Sequence, residues 1–177
     1  LAVAGSEEET VSAMIEQAEA LNCERMVLLG GRALDTGGKT LSGPAAAAAV
    51  AGVIAATADP ALPLNGAPLE GMSGVAADFS DDEIDLLVRG GVTPLESNAG
   101  IVSTVRGVTT RTTTGGAGDS TWRELSTVLI VDNVIPQIRS TLRRTFSRAK
   151  NTAQTRSAVR SRVIVELENK RQAEIID

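Results

Sequence analysis

Two short runs of this sequence carry the residue types that nucleotide chemistry needs. Ala33-Leu34-Asp35-Thr36-Gly37-Gly38-Lys39-Thr40 fits the loosened phosphate-loop pattern, with Ala33 where the stricter motif has Gly. It follows an apolar run, as that loop follows a strand. Val128-Leu129-Ile130-Val131-Asp132 has the form of an apolar strand ending in a carboxylate that holds Mg²⁺. Lys39, Thr40 and Asp132 therefore define one reading, a Mg-dependent nucleotidase with a P-loop-like site. Local context opposes it. A phosphate loop works because its Lys and Thr open a helix whose amides point at the phosphates. Here Ser42-Gly43-Pro44 follows almost at once. Pro44 disfavours helical geometry at Gly43 and has no amide donor, so a helix begun at Gly38 fails within about one turn. The plainer expectation is a Gly-rich surface loop leading to a helix capped at Ser42 or Gly43.

The remaining reactive groups give less. Asp81, Asp82, Glu83 and Asp85 could act as acid/base groups or Ca²⁺ ligands, but their place on the first turn of a helix accounts for them through the helix dipole. The chain has no His, which removes Ser-His-Asp and Cys-His catalysis and His-containing zinc sites. Its single cysteine, Cys23, forms no internal disulfide and reads as a small core filler beside Leu21 and Met26. Aromatics are 2% of the residues, namely Trp122, Phe79 and Phe146, too few for base-stacking platforms. The expectation is a protein that is not an enzyme, with no cofactor and no metal.

With 177 residues, 42% of them hydrophobic, the chain can fold as one domain that buries roughly 70% of its unfolded surface. No apolar run reaches a membrane span, and the alanine-rich stretch from Ala45 to Ala58 is too short for one. The chain opens on Leu1 rather than Met and lacks a signal-peptide layout, so it is expected to be a piece of a longer protein. Charge is segregated. Residues 121–177 carry 11 Lys/Arg against 6 Asp/Glu, while residues 1–120 carry 6 against 16. The expected organisation is one core over 1–177, with an acidic α/β part (1–118) and a basic, mainly helical part (119–177). Such a dipolar chain can meet copies of itself, acidic patch to basic patch.

Periodicity supplies the elements. Ser6-Glu7-Glu8-Glu9 reads as a capping box opening a helix over 7–21, and Arg25 to Leu29 as a buried strand. A loop over 32–43 leads to a helix from Pro44 to about Thr57, then a long surface crossing over 59–78. Ser80 caps a third helix that Gly90-Gly91 ends. Residues 91–110 read as a hairpin turning at Asn98-Ala99-Gly100, with a mobile Thr- and Gly-rich tongue over Thr109–Gly118. Glu124 to Val131 reads as extended, followed by a helix with Asp132 as cap and Pro136 in its opening turn. A last helix runs from about Thr155 to Ile175. Val159, Val163, Leu167 and Ile164 are assigned to its inner face, and Arg156, Arg160, Arg162, Lys170 and Arg171 to the other. The predicted fold class is α/β, a mixed β-sheet flanked by helices with a long C-terminal helical segment.

Several of these stretches, in this order, resemble the tail sheath proteins of contractile-tailed bacteriophages and prophages. They are Ala48-Ala49-Val50-Ala51-Gly52-Val53-Ile54-Ala55-Ala56-Thr57-Ala58-Asp59-Pro60, the Leu69-Glu70-Gly71 turn, Phe79-Ser80-Asp81-Asp82-Glu83-Ile84-Asp85 and Gly91-Val92-Thr93-Pro94-Leu95. Arg106-Gly107-Val108-Thr109-Thr110, Asp119-Ser120-Thr121-Trp122-Arg123-Glu124-Leu125-Ser126 and Thr155-Arg156 continue it. The resemblance implies a structural subunit of the virion tail, assembled in the host bacterial cytoplasm into a helical sleeve that contracts around the tail tube. Its partners would be other copies of itself, the tail tube protein and baseplate proteins, with no direct nucleic acid and no membrane insertion. It also implies terminal arms that this chain lacks, and hence weak self-association. From charge alone, the subunit-interface candidates are Arg139, Arg143, Arg144, Arg156, Arg160 and Arg162 against Glu7, Glu8, Asp81, Asp82 and Asp85.

Overall fold

The computed structural model describes every residue from Leu1 to Asp177. In chain order the elements are β1 (Ala2–Gly5), α1 (Val11–Leu21), β2 (Met26–Gly30), β3 (Ala33–Asp35), α2 (Gly43–Ala56), β4 (Met72–Val75) and α3 (Asp81–Arg89). The hairpin β5 (Val92–Asn98) and β6 (Ile101–Thr104) follows, then β7 (Thr113–Thr114), β8 (Ala117–Gly118), α4 (Leu125–Phe146) and α5 (Ala153–Gln172). The fold is mixed α/β and ends in two long helices. It divides into two compact units, Leu1–Ala58 with Leu62–Val128, and Asp59–Ala61 with Leu129–Asp177.

The first unit is organised by a four-stranded sheet in the order β1-β2-β5-β6. β1, β2 and β5 run parallel, and β6 returns antiparallel to β5. The two inner strands are the most apolar: Val27, Leu28, Leu29, Val92 and Leu95 are buried, as sheet strands covered on both faces require. Met14 and Ala18 of α1 and Leu87 of α3 close over Leu28 and Val92, with Ala4, Val11, Ile15 and Phe79 packed around them. α2 lies on β1, and Gly5 and Gly43 meet backbone to backbone, where a Cβ on either would run into the other chain segment. β3 and β4 form a separate antiparallel pair.

Beyond β6 the chain leaves the ladder, and hydroxyl groups join scattered main-chain bonds, such as Val105 to Pro94 and Thr110 to Met26, in holding it. Thr93 Oγ1 donates to the carbonyl of Val108 at 3.0 Å and accepts from the amide of Val108 at 3.0 Å. Thr104 Oγ1 donates to the carbonyl of Leu64, and Thr109 Oγ1 to that of Trp122. Thr110 Oγ1 donates to the carbonyl of Cys23 and accepts its amide. Asn22, left-handed at the end of α1, accepts the amides of Thr112 and Thr113 on its side chain. The stretch expected to be a mobile tongue is therefore fastened over its first half: Thr109 and Thr110 are buried, and only 114–118 stand in solvent.

Several local expectations are corrected. The first helix starts at Val11, capped by Thr10, because Ser6 is buried with its hydroxyl donated to Gln17. The loop over 32–43 and the crossing over 59–78 contain β3 and β4. Residues 125–131 are helical: α4 runs unbroken through Asp132 and Pro136, so Asp132 is neither a cap nor the end of a strand. The third helix is as expected, with Ser80 and Glu83 forming a reciprocal capping box. The hairpin turns at Ala99-Gly100, at φ 50° and 81°, within the expected Asn98-Ala99-Gly100 stretch. Two positive φ values in succession describe the turn that matches strand twist.

In the second unit α4 and α5 run antiparallel, tied at one end by Lys170 Nζ donating to Asn133 Oδ1 at 2.7 Å. Val134 and Thr141 of α4 and Glu166 of α5 are its buried residues. The inward face of α5 is Val159, Val163, Glu166 and Lys170. Leu167 and Ile164, assigned inward from sequence, are exposed, and Lys170, assigned outward, is half-buried.

Two stability changes follow. Thr93→Val keeps the shape but strands the amide and carbonyl of buried Val108, and should lower unfolding free energy by about 2–4 kcal/mol in urea titration, with Thr93→Ser largely sparing it. Ala99→Gly relieves a left-handed alanine and should raise it by about 0.5–1 kcal/mol.

Candidate assembly surfaces

The loop that imitates a phosphate cradle is shaped by Asp35. Its Oδ1 accepts the amides of Gly37 at 2.8 Å and Lys39 at 2.9 Å, and its backbone amide donates to the carbonyl of Lys39. Amides that a phosphate would require are thus already occupied by a carboxylate of the same loop. The helix that follows begins only at Gly43, five residues after Gly38, and Glu7 Oε1 accepts its first amide at 2.6 Å. Asp132 sits within α4 rather than at a strand end. No three His, Cys, Asp or Glu side chains converge in metal-ligand geometry, and no helix is long and apolar enough to cross a membrane.

The charged surfaces are where the structure offers most. Of the acidic candidates, Glu7 caps α2 and stands 3.9 Å from Arg32, while Glu8 is exposed beside it. Asp81 and Asp82 open α3, and Asp85 pairs with Arg89 at 2.9 Å one turn further on. Glu83, between them, accepts from Ser80, which holds its carboxyl below the usual range. Of the basic candidates, Arg139, Arg143 and Arg144 stand exposed on α4, and Arg143 and Arg144 occupy its last turn, where cations complement the helix dipole. Arg156 donates to Asn151, Arg162 pairs with Glu166 at 3.0 Å, and Arg160 is exposed with no partner of its own. The six arginines are thus gathered on the α4–α5 hairpin and the five acids at the start and on α3 of the other unit.

Charge counting missed two apolar surfaces. Between α1 and α3 runs an open groove of about 630 Å³. Val11, Ile15, Phe79 and Leu86 line it, and Glu9, Asp78 and Glu83 add acidic groups. A smaller hollow of about 310 Å³ shares Glu9 and Phe79 with it and reaches Glu8 and Arg32. On α5, Ile164 (54% exposed) and Leu167 (37%) stand outward with Val165 beside them. Ile164 and Leu167 lie one residue out of step with the inward stripe of Val159, Val163, Glu166 and Lys170, a rotation that hydropathy alone does not favour.

The solvent-exposed tip of the tongue is braced by Asp119, whose Oδ2 accepts the Thr114 hydroxyl at 2.7 Å and whose Oδ1 accepts the amide of Thr121. Hydrogen bonds from Thr121, then from Thr114, lower its pKa to about 2.

Among solved structures, the sheath tail protein of Desulfitobacterium hafniense has the same fold at 15% identity and TM-score 0.79, over 99% of this chain and 39% of that one. A chain of the anti-feeding prophage helical sheath in its contracted state matches at 16% identity and TM-score 0.71, over 97% of this chain and 46% of that one. A chain of the anti-feeding prophage baseplate matches at 17% identity and TM-score 0.69, over 96% of this chain and 44% of that one. This chain therefore spans less than half the length of each. No protein-family model and no curated protein sequence matches it.

The depressed pKa of Asp119 makes a pH prediction. Its ionised form stabilises the β7–β8 hairpin above the ordinary carboxylate value, and that contribution is lost as pH falls toward about 2. Amides of Thr114 and Thr121 should keep their native chemical shifts from neutral pH to about 4 and move together below it. Asp119→Ala should show the low-pH shifts at every pH.

Proposed function

We propose that this chain is the rigid core of a tail sheath subunit, a structural protein that works by assembly rather than by turnover. Copies stack into a helical sleeve around a tail tube, seated on a baseplate, in a virion tail built in the bacterial cytoplasm. Contraction of the sleeve drives the tube through the host envelope. The observation that supports this reading is the fold match across nearly the whole chain to sheath proteins, one of them within a contracted helical sheath. The segregated charge fits it: an acidic unit and a basic helical hairpin allow head-to-tail contacts, which build helices when they do not close into rings.

In this reading, Arg139, Arg143, Arg144, Arg156, Arg160 and Arg162 of one copy face Glu7, Glu8, Asp81, Asp82 and Asp85 of another. Contraction then exchanges one packing of rigid cores for another of lower free energy, with each subunit contributing a modest amount. Segments beyond this chain would supply the arms that link neighbours by adding strands to their sheets.

Electron microscopy of the whole protein should show hollow sleeves. Arg143→Glu with Arg144→Glu should abolish them while leaving the circular dichroism of the folded monomer unchanged, its melting temperature falling slightly because two carboxylates then stand at the C-terminus of α4. Intact sleeves in that variant would remove the charge pairing at α4, and a protein that never forms sleeves would remove the sheath reading itself.

A further inference from the structure

The outer face of α5 and the α1–α3 groove have opposite shapes and matching chemistry. On α5, Arg160, Ile164, Leu167 and Arg171 recur at intervals of four, three and four, so they form one stripe along the helix. Ile164 and Leu167 make its centre, at 54% and 37% exposure. The inward-facing stripe, Val159, Val163, Glu166 and Lys170, is offset from it by one residue and already engaged through Arg162 and Asn133. The apolar pair is therefore surplus to the packing of α4 and α5. Arg160 has no ion pair or side-chain hydrogen bond of its own, whereas Arg171 is held by Glu168 at 2.5 Å.

The groove presents the converse. Val11 and Ile15 of α1, Leu86 of α3 and Phe79 line it together. Leu86 is 54% exposed. Of the acids around it, Glu83 is committed to the Ser80 capping box and Glu9 lies 3.8 Å from Arg32. Asp78 is exposed and makes no ion pair. A groove between two helices with an apolar lining accepts a third helix through anchors spaced i and i+3. Ile164 and Leu167 have that spacing, and the unpaired Arg160 and Asp78 supply one complementary charge pair beside them.

We propose that the outer stripe of α5 docks in the α1–α3 groove of a second copy of this chain, with Ile164 and Leu167 as anchors and Arg160 against Asp78. The two surfaces differ, so the contact is heterologous: each copy uses its stripe on one neighbour and offers its groove to another. It rests on the sheath reading only in taking the partner to be another copy.

Two chains test it, Leu86→Cys and Leu167→Cys, each carrying Cys23→Ser. Both new cysteines replace exposed residues, so both chains should fold, which circular dichroism checks. Mixed under mild oxidation, they should form the mixed disulfide dimer about tenfold in excess of either self-pair. A mixed dimer in no more than the twofold excess over each self-pair that random pairing gives, or no dimer at all, would overturn the docking. In the same assay Arg160→Glu in the Leu167→Cys chain, or Asp78→Arg in the Leu86→Cys chain, should each lower the mixed yield about tenfold, through like charges brought together. Combining the two reversals should restore it, which loss of folding in either chain could not do. Failure to restore it would overturn the Arg160–Asp78 pair. A mixed disulfide without sleeves from the whole protein would leave the docking standing and remove the sheath reading. Sleeves that form normally with Arg160→Glu and Leu167→Asp would do the reverse.

Discussion

A buried peptide group needs a hydrogen-bond partner, and past β6 this chain leaves the regular ladder that provides one. The inner sheet is satisfied by its own ladders, but residues 105–112 cross buried ground in irregular conformation. Main-chain bonds from Val105 to Pro94, Thr109 to Arg123 and Thr110 to Met26 meet part of this need, and four threonines add to them. Thr93, Thr104, Thr109 and Thr110 are almost wholly buried, and each directs its hydroxyl at a main-chain group on a different segment. A hydroxyl both donates and accepts, so one side chain can close both the amide and the carbonyl of Val108, or of Cys23. At Thr93 valine would fill the same space and leave both groups of Val108 unpaired, whereas the carbonyl of Cys23 also accepts the amide of Met26. Residues 107–110 consequently sit as fixed as a strand, and they set the approach to α4, whose first amide at Leu125 donates to the carbonyl of Gly107.

The same economy runs through the core. With three aromatic residues in the chain, the interior is filled by Leu, Val, Ala and Thr, side chains with few rotamers. Gly5 against Gly43 lets α2 approach β1 to backbone contact, and Glu7 then accepts the amide of Gly43 that this approach uncovers. Short side chains and directional hydroxyls give a block with little room to repack. In the proposed sheath role such a block would keep its shape while its contacts with neighbours change, since close-packed interiors transmit displacement rather than absorb it.

What could be read from the sequence divides along physical lines. Where a signal is local and has one meaning, as at Ser80-x-x-Glu83, the helix start was legible. At Ser6-x-x-Glu9 the same pattern misled, because distant groups outbid local ones: Gln17 takes the Ser6 hydroxyl, and Thr10 caps the helix. Leu125 to Val131 has β-branched residues enough for a strand, and Pro136 looked like a start signal. The helix nonetheless continues through that proline, against local propensity. The threonine clasps were invisible because their partners lie up to 87 residues away. The charge asymmetry was legible, but the groove between α1 and α3 requires knowing that those two helices lie side by side.

On α5 the error was a rotation of one residue, and it bears on function. Read by hydropathy alone, the helix should turn Ile164 and Leu167 inward. Instead Glu166 and Lys170 lie on the inner face, where Arg162 and Asn133 meet their charges, and the apolar pair is left outside. A helix that accepts a nearly buried carboxylate while exposing isoleucine and leucine is poorly explained by the stability of its own unit. Exposed ion pairs contribute about 0–1 kcal/mol each, too little to hold copies together by arginine–carboxylate contacts alone. Apolar area removed from water contributes more per contact and is indifferent to salt, whereas charge fixes orientation and rejects wrong partners. Under the proposed docking, the opposed charges of the two units and the outward stripe of α5 would be complementary: charge would select which surfaces meet, and the apolar anchors would give the meeting its strength.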